Sequence, residues 1–294
     1  MKTSPMKKNE IKFAFFGTSH IAVYVLDALE AANLVPALVI TPEDKPQGRG
    51  LEVQSSEVAK WASARNIPLA HDWKEFETGT WDVAVVVDYG KILPQRILDI
   101  PVKGFLNVHP SLLPRLRGPS PMRSAILHDE KDTGVTIIKV DAKMDHGPMV
   151  AQKKVTIADW PPRLADFERT LLQEGGKLLA EMLPLWAAGE IEVREQNHDI
   201  ATYSEKIQKE DAEINLSDDA NQNLLKIRAF EGWPIAYTFF ERPSTSAEQA
   251  TKRIRVQILD AHIDGKKLVL DSVKPEGKKE MKYKEFLRSG AKPL

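Results

Sequence analysis

The chain has 294 residues, 42% of them hydrophobic and 28% charged, with 41 Lys+Arg against 42 Asp+Glu. That length suits two domains, and the composition is that of an ordinary soluble globular protein. The absence of cysteine excludes disulfides, thiolate metal sites and cysteine nucleophiles, and no other metal site is expected.

No signal-peptide stretch is read in the first ten residues, and no apolar run approaches the roughly 20 residues of a membrane span. A cytoplasmic protein without a membrane partner is expected. Residues 11–16 read as a short strand ended by Gly17, Thr18 and Ser19, and residues 21–29 follow with helical spacing. Residues 36–40 are a second strand and residues 53–64 a helix. Three more apolar runs, 83–87, 105–108 and 135–140, complete five strands. Continuous apolar runs separated by helices predict parallel strands buried on both faces, hence an open doubly wound α/β sheet. Ligands then lie beyond the carboxyl ends of the strands. Residues 163–186 read as a long amphipathic helix, with Leu164, Phe167, Leu171, Leu172, Leu178, Leu179 and Met182 on its apolar stripe. The polar stretch 189–203 lacks periodicity and reads as a linker. Residues 220–230 form a helix, and short strands are expected at 236–240, 254–259, 267–270 and 283–286, which suggests a small β-barrel or sandwich. Residues 251–294 carry 12 Lys+Arg against 6 Asp+Glu, an excess of +6. This is either solvated surface or a patch facing a polyanion.

The chemical signal lies at two strand ends. Asn107 and His109 are two apart, so a strand places both side chains on one face, and Pro110 ends the ladder. An asparagine amide can donate to a developing oxyanion, and an imidazole can move a proton. Asp145 sits in a Gly-Pro turn after the 135–140 run, where a carboxylate can orient His109. His146 is a second candidate base, ranked below His109. The segments 17–19, 48–50, 88–94 and 117–118 are loops near the same edge. Gly17, Thr18 and Ser19 lack the dinucleotide fingerprint.

The run Asn107-Val108-His109-Pro110-Ser111-Leu112-Leu113-Pro114, with Arg117 and Gly118 following, resembles the signature of folate-dependent formyltransferases. Asp145 falls where that family has its third catalytic residue. The family includes enzymes acting on glycinamide ribonucleotide, on aminosugars and on methionyl-tRNA. The likeness to the methionyl-tRNA branch runs over roughly residues 11–265. It takes in Phe16-Gly17-Thr18, the loop 41–50, the loop 87–94, residues 133–137, the segment 201–211 and residues 226–234. The resemblance implies a Rossmann-like catalytic domain over 1–188, a linker over 189–206 and an OB-like β-barrel over 207–294. It implies 10-formyltetrahydrofolate as donor, held by Asp88, Tyr89, Gly90 and Ile92 with Ser111, Leu112, Leu113 and Pro114. It also implies initiator methionyl-tRNA as acceptor, approached by Arg49 and Lys206, and a monomeric enzyme. With a tRNA acceptor the basic stretch gains weight as a phosphate-facing patch, its candidates being Lys252, Arg253, Arg255, Lys266 and Lys267. Asn107, His109 and Asp145 are the expected catalytic residues, in a direct acyl transfer with no covalent enzyme intermediate. An aminosugar nucleotide is the alternative acceptor. Three departures stand out: Leu51, Glu52 and Val53 where lysines are usual, Ile21 where phenylalanine is usual, and Asp88 where small residues are common.

Overall fold

The computed structural model describes residues 11–43, 45–47, 52–243 and 251–294. Its elements in chain order are β1 (Phe13–Gly17), α1 (His20–Ala31), β2 (Leu38–Ile40), β3 (Lys45–Gln47), β4 (Glu52–Gln54), α2 (Glu57–Ser63), β5 (Leu69–Ala70), α3 (Lys74–Thr78), β6 (Val83–Val87), α4 (Gln95–Leu98) and β7 (Phe105–His109). There follow α5 (Pro121–Leu127), β8 (Thr133–Lys139), β9 (Met149–Val155), α6 (Leu164–Ala188), α7 (Ala220–Ala229), β10 (Tyr237–Pro243), β11 (Thr251–Asp264), β12 (Lys267–Pro275), β13 (Met281–Lys282), α8 (Tyr283–Leu287) and β14 (Lys292–Pro293). The chain divides into two compact units. One comprises the chain up to Gly118 with Asp132–Thr156 and Glu168–Tyr203; the other comprises Pro119–Lys131, Ile157–Phe167 and Ser204–Leu294.

The first unit holds a seven-stranded sheet in the order β5-β2-β1-β6-β7-β8-β9. The strands from β5 to β7 are parallel, in a Rossmann-like order that reverses between β1 and β6. Their continuous apolar runs are buried on both faces, as β1 shows: all five of its residues are buried. Phe76 of α3 and Ile97 and Leu98 of α4 pack with Ala14, Phe16 and Ala84 on one face. Helix α6 packs through two glycines. A Cβ on Gly175 would stand 2.6 Å from a Val108 methyl, and one on Gly176 would stand 2.7 Å from the Ala28 Cβ. The absence of side chains there lets α6 approach both β7 and α1.

Two expectations are corrected in this unit. The run 135–140 is a strand, but β8 runs antiparallel to β7, and β9, unforeseen, pairs antiparallel with β8. Apolar continuity reports burial on two faces and carries no strand direction. The expected helix over 53–64 begins later. Residues 52–54 are strand, and Ser56 caps α2 by accepting from the Ala59 amide at 3.0 Å. The aperiodic stretch 189–203 is tied to the first unit by backbone bridges, Arg194 to Met149 and Tyr203 to Arg117.

The second unit carries a five-stranded antiparallel sheet, β13-β12-β11-β10-β14. Along β11 the burial alternates, with Ile254, Val256 and Ile258 inward and Arg253 and Arg255 turned away. Residues 283–286 form a helix, not the expected strand. Tyr283 and Phe286, three apart, both set their rings against Phe240, with centroids 6.2 and 5.0 Å away. That is helical spacing.

Candidate active site

Strand β7 carries Asn107 and His109. Asn107 pairs in register with Val86 and Ile138, and His109 with Thr136, so both side chains leave the same face near the strand's end. Asn107 is half-buried, and its side chain makes no hydrogen bond with another described residue. An amide with no partner among the described residues has N–H groups it can offer to a ligand. His109 is 4% exposed. Its Nε2 lies 2.9 Å from the Leu116 carbonyl oxygen. A carbonyl only accepts, so Nε2 is the nitrogen that donates there, which leaves Nδ1 as the nitrogen turned elsewhere. Leu116 aims that carbonyl from a left-handed conformation, φ 56°, stabilised by the Thr202 hydroxyl, which accepts from the Leu116 amide at 2.9 Å.

Nδ1 faces Asp145, with the nearer carboxylate oxygen at 3.7 Å. That is ion-pair range but beyond a hydrogen bond. The Leu116 carbonyl therefore fixes the ring, and Asp145 supplies charge beside it. The other carboxylate oxygen accepts from the Gly118 amide at 2.7 Å. Asp145 is also left-handed, φ 48°, in the turn between β8 and β9. Two residues on, a Cβ on Gly147 would fall 1.8 Å from the Lys139 carbonyl oxygen, so only glycine closes this turn. His146 is engaged elsewhere: its Nδ1 is 2.8 Å from Asp141, and its ring stacks on His198 at 4.0 Å.

The loop after β7 is internally bonded. The Ser111 hydroxyl donates to the Arg115 carbonyl at 2.6 Å. The Thr136 hydroxyl donates to the Ser111 carbonyl at 2.7 Å and accepts from the Leu113 amide at 3.1 Å. Ser111 and Leu113 are buried, while Leu112 and Pro114 are half-buried. Arg117, 1% exposed, is enclosed by Gln196, His198 and Tyr203.

A cleft of about 470 Å³ opens where the strand order reverses, lined among others by Thr18, Ser19, Asp88, Tyr89 and Gly90. Asp88, left-handed at φ 46°, accepts a hydrogen bond from the Ser19 hydroxyl. The Thr18 hydroxyl donates to the Tyr89 carbonyl at 2.8 Å. Tyr89 itself is buried against Phe16, its oxygen accepting from Trp73 Nε1 at 3.1 Å, and burial pushes its phenol up. Ile92 is 91% exposed. Asn107, His109 and Asp145 do not line this cleft. They stand one strand along, since β6 and β7 are neighbours.

In the second unit Lys206, Lys252 and Arg253 are exposed and Arg255 is half-buried. The Arg253 guanidinium lies 3.8 Å over the Phe239 ring and that of Arg255 3.5 Å over Tyr237. Arg49 lies outside the described residues. Among the described residues no group of three or more His, Asp or Glu is arranged to hold a metal ion, and no helix is long and apolar enough to cross a membrane. Neither the Leu116 carbonyl nor Gln196 is marked by a motif or a periodicity in the sequence.

An amide donor, a fixed imidazole and a carboxylate at the rim of a Rossmann-like sheet suit acyl transfer, and the class of the chain follows from comparison. Residues 11–183 match the formyl transferase family and residues 206–290 the formyl transferase C-terminal domain. The methionyl-tRNA formyltransferase of Chloroflexus aggregans is 41% identical over 240 residues, covering 78% of this chain and 77% of its own. That of Methylococcus capsulatus is 32% identical over 301 residues, covering 96% and 97%. The chain belongs to the methionyl-tRNA formyltransferase family. Two solved structures share the fold at low identity. The methionyl-tRNA formyltransferase from Clostridium thermocellum has a TM-score of 0.57 at 16% identity, covering 90% of this chain and 98% of its own. A sugar 3N-formyl transferase solved with dTDP and 5-N-formyl-THF has a TM-score of 0.62 at 18% identity, covering 92% and 99%.

Proposed function

We propose that this enzyme transfers the formyl group of 10-formyltetrahydrofolate to the α-amine of methionine on initiator methionyl-tRNA. The observation that carries the chemistry is the His109 ring, with Nε2 committed to Leu116 and Nδ1 facing Asp145, on the same strand face as an unengaged Asn107 amide.

The donor supplies an activated formyl carbon. The amine nitrogen bonds to it, the bond from carbon to the folate nitrogen breaks, and one proton moves from the amine to that nitrogen. Asn107 donates an N–H to the formyl oxygen as charge develops there, an interaction worth about 2.7–4 kcal/mol of barrier. His109 takes the amine proton at Nδ1 and returns it to the departing nitrogen. Asp145 stabilises the imidazolium in between. The cleft beside Asp88, Tyr89 and Gly90 is within the size range of small-molecule sites and lies at the strand-order reversal, which supports folate binding there. The loop 111–114, buttressed by Thr136, shapes the adjoining wall.

For the tRNA, the proposed contacts are Arg49, Lys206, Lys252, Arg253 and Arg255. Stacking on Phe239 and Tyr237 holds two guanidinium planes in place, and the planar fork matches phosphate oxygens. Formyl transfer is assigned to residues 1–188 and tRNA binding to residues 207–294, joined by 189–206, in a cytoplasmic monomer; light scattering checks the last point. The deciding assay gives the enzyme the folate donor with initiator or elongator methionyl-tRNA, or with a nucleotide-linked aminosugar. Initiator methionyl-tRNA is formylated; formylation of the sugar in its place would overturn the reading.

A further inference from the structure

We propose that Gln196 is a positioning residue for Asp145, and that Arg117 acts through it. This rests on the formyl-transfer reading above. Gln196 lies in the polar stretch after α6, yet it is 4% exposed. A buried amide is costly unless satisfied, and this one is fully used. Its Nε2 donates to the Asp145 carbonyl at 2.9 Å and to the Gly147 carbonyl at 2.7 Å. Its Oε1 accepts from Arg117 Nε at 3.2 Å and Nη2 at 2.7 Å. Two carbonyls on one side and a guanidinium on the other permit a single orientation of the amide.

These bonds close a ring. The Arg117 side chain holds Gln196, and Gln196 holds the main chain at Asp145. The Asp145 carboxylate accepts from the amide of Gly118, and Gly118 is bonded to Arg117. The Asp145 turn is thus fixed from its backbone and from its carboxylate at once. That matters because Asp145 keeps its left-handed backbone at a residue with a Cβ, a conformation that persists only when neighbours over-determine it. Arg117 is in turn oriented by His198, whose Nδ1 lies 2.8 Å from Nη2. Because a guanidinium only donates, that nitrogen of His198 accepts. Without the two N–H groups of Gln196, the carbonyls of residues 145 and 147 lose their donors. The carboxylate then drifts from the 3.7 Å it keeps from the His109 ring. The carboxylate is needed when His109 holds the transferred proton, so the loss falls on kcat and spares binding.

The test uses two full-length variants beside the parent enzyme. Gln196→Met keeps the length without the amide. Gln196→Glu keeps the acceptor for Arg117 but removes both N–H donors. Each is expected to lower kcat about 10- to 100-fold, the scale of an ångström-sized misplacement, with KM for the folate donor and for methionyl-tRNA within about twofold of the parent. The Gly118 amide proton is expected to exchange faster in both. Parent-like kcat in either folded variant, unchanged Gly118 exchange, or activity lost only in proportion to unfolded protein would overturn the role. A parent that fails to formylate methionyl-tRNA refutes the earlier reading instead, and the Gly118 exchange still reports on Gln196.

Discussion

His109 is held by a neighbour that no side-chain motif records. The Leu116 carbonyl takes Nε2–H, and the remaining ring nitrogen is the only one able to accept a proton from a substrate. His109→Ala is therefore expected to cut kcat about 10²–10⁴-fold with the donor KM little changed. Asn107→Ala is expected to cost about 10²–10³-fold. Steady-state kinetics on folded variants check both, and near-normal turnover in either removes that residue from the chemistry. A second histidine offers a pH test. His20 is paired with Glu168 at 3.0 Å, and that hydrogen bond raises its pKa above the ordinary 6.5, against the opposing effect of burial. Because the folded value is the raised one, the pair's stabilisation is fully present below the ordinary value and is lost as pH rises through the folded value. NMR titration should find the His20 midpoint above 6.5 and lower in Glu168→Gln. At this scale the sequence was informative about side chains at strand ends: Asn107 and His109 share a face of β7, and Asp145 stands 3.7 Å from the His109 ring, the arrangement on which the proposed chemistry rests. It was silent on Leu116, whose contribution is a backbone carbonyl, and on Gln196, whose neighbours are polar and aperiodic.

The elements matter through how closely they approach. In an exposed helix, glycine to alanine gains about 1 kcal/mol. At Gly175 the added methyl would meet Val108, a β-branched residue of β7 lying between Asn107 and His109. Overpacking costs about 1–3 kcal/mol, and Val108 is pinned in a paired strand, so the cost prevails. Gly175→Ala is expected to lower both the denaturation midpoint and kcat. A raised midpoint in a denaturant titration would show that the helix has room there after all. The same strands show what periodicity conveys. Apolar runs located β1, β2, β6, β7 and β8, because burial on two faces is written in composition. The direction of β8 is not written there: burial on two faces is the same for a parallel and an antiparallel strand, and β8 pairs antiparallel with both β7 and β9. Residues 283–286 misled because four residues with aromatic ends satisfy both a strand and one helical turn, and only packing on Phe240 decides.

For the molecule as a whole, tRNA affinity should be governed by ionic strength. Each phosphate contact contributes roughly 0.7–0.9 to the slope of log affinity against log salt. Replacing both Arg253 and Arg255 by glutamine is expected to flatten that slope by up to about 2 and leave single-turnover formylation at saturating tRNA near that of the parent. A slope unchanged by the double substitution would take these two residues out of the phosphate-binding surface. The two-domain organisation was legible from the change in strand pattern after residue 230, whereas the membership of individual stretches was not, because packing ignores chain order.

Chimeras built from relatives of this protein have to respect that interleaving of the chain. Helix α5 and residues 157–167 are spatially part of the body that contains α7 and the antiparallel sheet. Within it the Arg123 guanidinium donates to the Ala229 carbonyl at 2.6 Å, and Arg163 grips Glu231. A graft spliced only at residue 204 would transplant Ala229 and Glu231 while leaving both arginines to the recipient. A faithful exchange is a three-segment operation, with crossover points after residues 118, 131, 156, 167 and 203.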